Sequence, residues 1–347
     1  MGYRRRKTPE PASAKRLVIP EGYVPLLDIR KTERAIPEIK GFFQDRLSEN
    51  LNLERTSAPL FVQAGTGVND DLNGVERKVS FRAKCGRVDL EIVNSLAKWK
   101  RMALARHGHK HGEGIWTDMN AIRPDEDLDN THSNYVDQWD WERVIAPQER
   151  NKEFLEWIVR RIYDAIWKTE RMVFQKYDIA QVLPPDIHFV TSGELQKEMP
   201  ELTPKEREDR IAGQKRAVFV MEIGWPLEDG VRHDGRAPDY DDWKLNGDIL
   251  VWNPVLKSAF ELSSMGIRVD DRSLFEQCMR TDQMQRLTLK FHRMVMENRL
   301  PLSIGGGIGQ SRLSMFLLRK AHIGEVQASI WPDEMLAELD RAGIALL

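Results

Sequence analysis

The chain has 347 residues, 41% of them apolar and 31% charged, enough for one large core or two smaller ones and too apolar for a disordered chain. Its 52 basic and 54 acidic residues leave a net charge of −2, which disfavours extensive nonspecific binding to nucleic acid or to membrane surfaces. No run of 18 apolar residues offers a membrane span, and the basic Arg4–Lys7 lacks the apolar stretch of a signal peptide after it. Two cysteines far apart, Cys85 and Cys278, predict free thiols in a reducing compartment, and so a soluble cytoplasmic protein.

In chain order, residues 1–24 read as a polar, loosely ordered tail containing Pro9, Pro11 and Pro20, and residues 25–347 as a single domain. Ile36, Ile39, Phe42, Phe43 and Leu47 form a helical stripe over Lys31–Glu49. Pro59 opens a strand at Leu60–Val62, and Val88–Val93 alternates like a strand with one wet face. Helices are expected at Leu96–Leu104 and at Glu153–Tyr177, the second with Leu155, Ile158, Ile162, Ile166 and Phe174 on one face. Further strands are expected at Ile187–Val190, Ala217–Ile223, Asp248–Trp252 and Ala259–Val269. Strands with long irregular connections and few β-α-β units predict an α+β fold with an antiparallel sheet.

Three segments carry chemistry. In Ser303–Leu313, four glycines in five residues let a ligand approach the backbone, and the helix expected after them carries Arg312 in its first turn. Such a run also serves plain helix–strand packing, and the Lys-Ser/Thr pair of a P-loop is missing. In Tyr135–Glu142, alternation puts Gln138, Asp140 and Glu142 on one face of a strand and Asp137, Trp139 and Trp141 on the other. A row of acceptors suits an ammonium group, and Arg123, one hairpin away, suits a phosphate; the plainer reading is a solvated acidic hairpin. In Phe260–Arg268, Glu261 and Arg268 interrupt an apolar strand, either as an internal ion pair or as ligand-binding charges. Glu261 and Asp248 on neighbouring strands could hold Mg²⁺. His107, His109 and His111 read as a solvated loop rather than a metal site.

The Arg123-x-Asp125 segment with the Asp137–Glu142 strand, the Glu261–Arg268 strand and the Gly305–Leu313 run resemble, in order, the later signature motifs of class II aminoacyl-tRNA synthetases. The chain is more similar still to the asparagine synthetase A family, the aspartate–ammonia ligases built on that core. This shows in Gly67–Gly74, Val93–Arg101, His233–Trp243, Leu245–Pro254 and Ile304–Leu313, and spans roughly residues 25 to 335. The tail is longer than is usual in bacterial members, and a loop expected between Trp243 and Leu245 is shortened.

The resemblance implies a class II synthetase-like core that makes asparagine from aspartate, ATP and ammonia through a β-aspartyl-adenylate. It implies Arg123 on the α-phosphate and Arg312 near the terminal phosphates or adenine. Asp125, Ser264, Gly307 and Gly309 complete the nucleotide site, with Asp248 and Glu261 on Mg²⁺. Lys100, Gln138, Asp140 and Asp241 grip the amino acid with Ser95 as a supporting donor, and Arg268 pairs with a carboxylate. Asp70 is the candidate for guiding ammonia or taking its proton. Glycine at position 2, where a glutamine-using enzyme needs cysteine, favours free ammonia. The rivals are an aspartyl- or asparaginyl-tRNA synthetase, disfavoured because about 25 residues precede the first helix, and a non-catalytic paralogue, disfavoured by the presence of Arg123, Glu261 and Arg312. The Lys31–Glu49 helix and the following proline-containing segment resemble the first class II motif, which implies a homodimer with Phe42 or Phe43 near the seam.

Overall fold

The computed structural model describes residues 17–70, 77–84 and 86–347. Residues 1–16 of the tail, the Asp71–Gly74 end of the first motif quoted above and Cys85 lie outside the described residues. Helix α1 (Ile29–Leu51) starts at Asp28, whose side chain accepts from the Lys31 amide, and ends at Asn52 in the left-handed region. Its buried stripe is Ala35, Ile39, Phe43, Leu47 and Leu51, a slightly rotated version of the expected one. Phe43 stacks at 4.6 Å on Trp139 of the same chain, so it is core, not seam, and Phe42 is left half-buried beside Arg46.

The main sheet is built from β1 (Leu53–Arg55), β5 (Gly114–Ile122), β6 (Tyr135–Val144), β7 (His188–Thr191), β8 (Ala217–Met221), β9 (Asp241–Asn253), β10 (Ser258–Arg268) and β11 (Ser303–Gly309). Their order across it is β1-β5-β6-β11-β10-β9-β8-β7, antiparallel throughout except for a parallel pair at each edge. A small separate sheet joins β2 (Phe61–Gln63), β4 (Asp89–Ile92) and β3 (Ser80–Arg82). The strand opened by Pro59 therefore belongs to the small sheet, whereas β1 follows α1 on the main one. Strand β9 runs seven residues ahead of its expected start, which places Asp248 in mid-strand rather than at its opening.

One face of the main sheet is covered by α1 and α3 (Lys152–Tyr177), which bury Trp139, Trp141, Phe219, Ile249 and Met265 in the large core. Leu155, Ile158, Ile162 and Ile166 face it as expected, but Phe174 is 42% exposed. The opposite face is partly covered by α2 (Ala97–His107), α4 (Ser192–Glu198) and α5 (Pro204–Lys215). Helices α6 (Asp271–Arg280), α7 (Lys290–Met296), α8 (Gln310–Leu317) and α9 (Asp333–Arg341) complete the α-helices of the described residues. The stretch of that face left open between α2 and α5 holds the polar ends of β6, β9, β10 and β11.

Candidate active site

Ser303–Gly309 was not among the expected strands, yet it is a central one, paired with β6 on one side and β10 on the other. Glycine weakens a strand, so a run of it calls for a close approach. A Cβ on Gly305 would lie 2.0 Å from Glu142 Oε2, and one on Gly307 would lie 2.4 Å from Gln138 Oε1 and 2.9 Å from Asp140 Oδ1. The glycines therefore make room for a row of long polar side chains. Across the sheet, register places Asp140, Gly307, Ser264 and Asp248 in one line, and Glu142, Gly305, Gly266 and Asn246 in the next. The irregularity between Glu261 and Ser263 shifts the alternation by one residue. That shift lets Glu261 and Ser264, of opposite parity, line the same cavity.

This cavity measures about 500 Å³. Asp70, Ser95, Lys100, Arg123, Asp125, Gln138, Asp140, Asp241, Glu261, Ser264, Arg268, Gly307, Gly309 and Arg312 all line it. Asp248 is the exception. It sits behind Arg236, which lines the cavity and is hydrogen-bonded to Asp248 Oδ2.

The floor is a buried ion network. Arg268 grips Glu142 at 2.8–3.1 Å through two nitrogens and reaches Asp241 at 2.5 Å with the third. Of the two readings of Glu261 and Arg268, the internal pair between them does not form, because the partners of Arg268 come from β6 and β9. Burial alone would favour neutral groups, and the guanidinium outweighs it at Glu142, holding that carboxyl below its ordinary range. At Asp241 burial wins and its carboxyl is raised despite Arg268. Lys100 bonds Asp140 at 3.0 Å and the Gly306 carbonyl at 2.9 Å, and burial pulls its ammonium below the ordinary lysine range. Asp140 also accepts from the Leu96 amide at the start of α2. Removing one member of such a network strands a buried charge, typically costing about 3–5 kcal/mol.

The upper wall is the 123–134 connection between β5 and β6 together with the start of α8. Arg312 donates to the Glu261 carbonyl at 3.1 Å and approaches its carboxylate at 3.4 Å, while its other arm meets His132 Nε2 at 3.0 Å. His132 is tied in turn to Asp129 at 2.8 Å, and Asn130 anchors the connection to the Val18 backbone and the Ala321 carbonyl. Asp125 pairs with Arg77 at 2.8 Å on the exposed rim, and Arg123 lies 3.8 Å from Glu126.

Arg236, Arg77, His132, Tyr240 and Gln327 line the cavity without having been given roles from the sequence. Arg236 and Tyr240 lie within the His233–Trp243 segment already singled out, but nothing local shows that Arg236 folds back onto Asp248, 12 residues on. Among the described residues no cluster of three or more His, Cys, Asp or Glu is arranged for a metal, and His111 pairs with Glu149. Asp248 and Glu261 fit a cation in another way. Asp248 Oδ1 is buried without a hydrogen-bond partner, and its carboxyl is pushed up to about 7 by burial, with Glu261 adding repulsion against the pull of Arg236. Cys278 is buried, its thiol pushed up to about 12.

A largely antiparallel sheet with the arginine-bearing hairpin, the bulged strand and the glycine strand meeting at one cavity defines a class II aminoacyl-tRNA synthetase-like catalytic core. Solved structures share that fold: asparaginyl-tRNA synthetase from Entamoeba histolytica in complex with asparaginyl-adenylate superimposes with a TM-score of 0.60 at 12% identity, over 86% of this chain and 66% of the other. Asparaginyl-tRNA synthetase from Pyrococcus horikoshii, also with asparaginyl-adenylate, gives 0.57 at 15% identity over 88% and 71%. The chain belongs to the aspartate–ammonia ligase family, whose profile matches residues 30–343. Aspartate–ammonia ligase of Clostridium tetani is 56% identical over 96% of this chain and 98% of its own length. That of Bacteroides fragilis is 55% identical over 95% and 99%.

Proposed function

We propose that this cavity performs both halves of ammonia-dependent asparagine synthesis, and the observation that carries the proposal is the convergence of the arginine-bearing hairpin, the glycine strand and the Asp140–Lys100 pair around one cavity. The side-chain carboxylate of aspartate attacks the α-phosphorus of ATP, forming the acyl–phosphate bond and breaking the bond to pyrophosphate. Ammonium gives up one proton to become ammonia, which attacks the acyl carbon, forming C–N, breaking C–O to AMP and losing a second proton to solvent. Arg123 neutralises the α-phosphate, and Arg312, aimed by Glu261 and His132, takes the outer phosphates. Gly307 and Gly309 let the nucleotide lie against bare strand, with Ser264 and Asp125 beside it. Asp140, Gln138 and Asp241 receive the amino group of aspartate while Lys100 and Arg268 take a carboxylate, and Ser95 supports Asp70. Asp248 and Glu261 would hold Mg²⁺, which supplies charge neutralisation to the phosphates when bound.

Asp70 receives the first of these protons, the one ammonium loses to become a nucleophile. It is buried, 3.1 Å from Ser95, and lies on the cavity wall. The test is Asp70→Asn assayed twice. Aspartate-dependent ATP–pyrophosphate exchange should persist, while asparagine formation falls about 100-fold, the usual scale for a lost general base. Equal loss in both assays would make Asp70 a substrate-binding residue instead.

The protein works in the cytoplasm as a homodimer on this reading. No helix of the described residues is long and apolar enough to cross a membrane. Support for the dimer comes from the half-buried Phe42 on the outer side of α1 and from β1, which ends the main sheet with three residues.

A further inference from the structure

A second group of charges lies behind Asp70, outside the assigned site residues. Lys98, in the first turn of α2, is 1% exposed and bridges two carboxylates, Asp239 at 2.8 Å and Asp70 at 3.6 Å. Asp239 is fully buried, and its Oδ2 gathers Lys98, Arg286 at 2.8 Å and His292 Nε2 at 2.7 Å. A carboxylate oxygen accepts, so Nε2 carries the ring proton. His292 has a second connection to the same loop. A Cβ on Gly67, which has φ +74°, would lie 3.0 Å from its Cε1 and 2.9 Å from Leu289 Cβ, so α7 lies directly against the turn that leads into Asp70.

A charge count gives this arrangement a purpose. Lys98, buried, and Arg286, partly buried, would place two cations near the point where a cationic nucleophile is to lose its proton. The single charge of Asp239 offsets one of them and Asp70 faces the other, so the four groups balance and a cation arriving beside Asp70 meets no net repulsion from them. Burial works against the Lys98 ammonium, yet Asp239 and Asp70 hold it above the ordinary lysine range. A charged Lys98 at 3.6 Å in turn favours the ionised form of Asp70.

We propose that Lys98, held on Asp239 by His292, is a positioning residue for the ammonia half-reaction: it aims the Asp70 carboxylate and keeps it ionised to receive the proton that ammonium loses. The inference rests on the role given to Asp70 above, so the experiment separates the two. Lys98→Met keeps the length of the side chain and removes its charge. Each variant is assayed for aspartate-dependent ATP–pyrophosphate exchange, for asparagine formation with ammonium, and for aspartyl hydroxamate formation with hydroxylamine, which is uncharged at neutral pH and needs no proton acceptor to become a nucleophile.

Lys98→Met should lose about tenfold or more with ammonium, chiefly in the KM for ammonium, while exchange and the hydroxylamine reaction fall by less than about threefold. Its effect should largely vanish in the Asp70→Asn background, since the two act as one unit. His292→Gln, which retains an N–H donor, should show the same pattern more weakly and serves if Lys98→Met does not fold. Uniform loss in all three reactions, no loss in any, or full additivity with Asp70→Asn would overturn the proposal. If Asp70→Asn itself shows no selectivity for ammonium, the reading of Asp70 fails first and takes this one with it. If Asp70→Asn is selective and neither Lys98→Met nor His292→Gln is, only the relay falls.

Discussion

Single residues in this cavity are placed by partners far away in sequence. Arg312 is held by Glu261, 51 residues away, and by His132, 180 away. Its fork is therefore fixed before a nucleotide arrives, the condition under which a cation stabilises developing charge without reorganising. Arg312→Ala should lower aspartate-dependent exchange by about 3 kcal/mol, roughly 100-fold, with the melting curve little changed. Near-wild-type exchange would remove Arg312 from the nucleotide site. A different kind of residue effect is expected at His322, buried against Trp331, whose Nδ1 accepts from the Gly324 amide. Burial pushes its pKa down to about 4, with Asp129 opposing. The unfolded imidazole binds its proton near pH 6.5, so this group's contribution to stability is complete above that value and lost as pH falls toward 4. The full effect is about 3 kcal/mol. Urea unfolding of His322→Asn between pH 7 and 4.5 should show a shallower fall than the wild type. Parallel curves would contradict the assignment.

At the scale of elements, the alternation of Gln138, Asp140 and Glu142 against Trp139 and Trp141 was legible, because a two-residue period needs only a strand to be read. The long helix at Glu153–Tyr177 was legible for the same reason, and its four-residue spacing placed Ile158, Ile162 and Ile166 correctly. What sequence could not supply was the shift in β10 that lets Glu261 and Ser264 face one cavity, since a bulge is set by pairing with β9 rather than by local pattern. The glycine run was not among the expected strands because local propensity argues against one, and the order of the sheet overrides it. Arg236 on Asp248 and the Lys98–Asp239–His292 group are long-range contacts between charges that look solvated in a linear string. Helix α1 gives a test of both readings of its stripe. Phe43→Ala should cost about 3–5 kcal/mol of stability, since its ring fills the core on Trp139. Phe42→Ala should stay within about 1 kcal/mol per subunit yet shift the molecule toward monomer in light scattering. A fully active monomer of wild-type protein at micromolar concentration would exclude the dimer.

For the molecule as a whole, a synthetase-like core can activate an amino acid for more than one acceptor, and on the proposed reading the choice is made by what reaches the adenylate from the Asp70 side. Buried Asp70, partly buried Ser95 and the charges behind them would then present a wall for a small cation rather than for the end of a nucleic acid. The central claim is that this chain activates the side-chain carboxylate of aspartate and passes it to ammonia. Incubating the protein with aspartate carrying ¹⁸O in its side-chain carboxylate, ATP, Mg²⁺ and ammonium, and following AMP, pyrophosphate and asparagine together, tests it most directly. The account predicts equal amounts of all three products, one ¹⁸O atom transferred to AMP, and exchange of pyrophosphate into ATP when ammonium is left out. Formation of ADP and phosphate, AMP without ¹⁸O, or acylation of added tRNA in place of asparagine would contradict it.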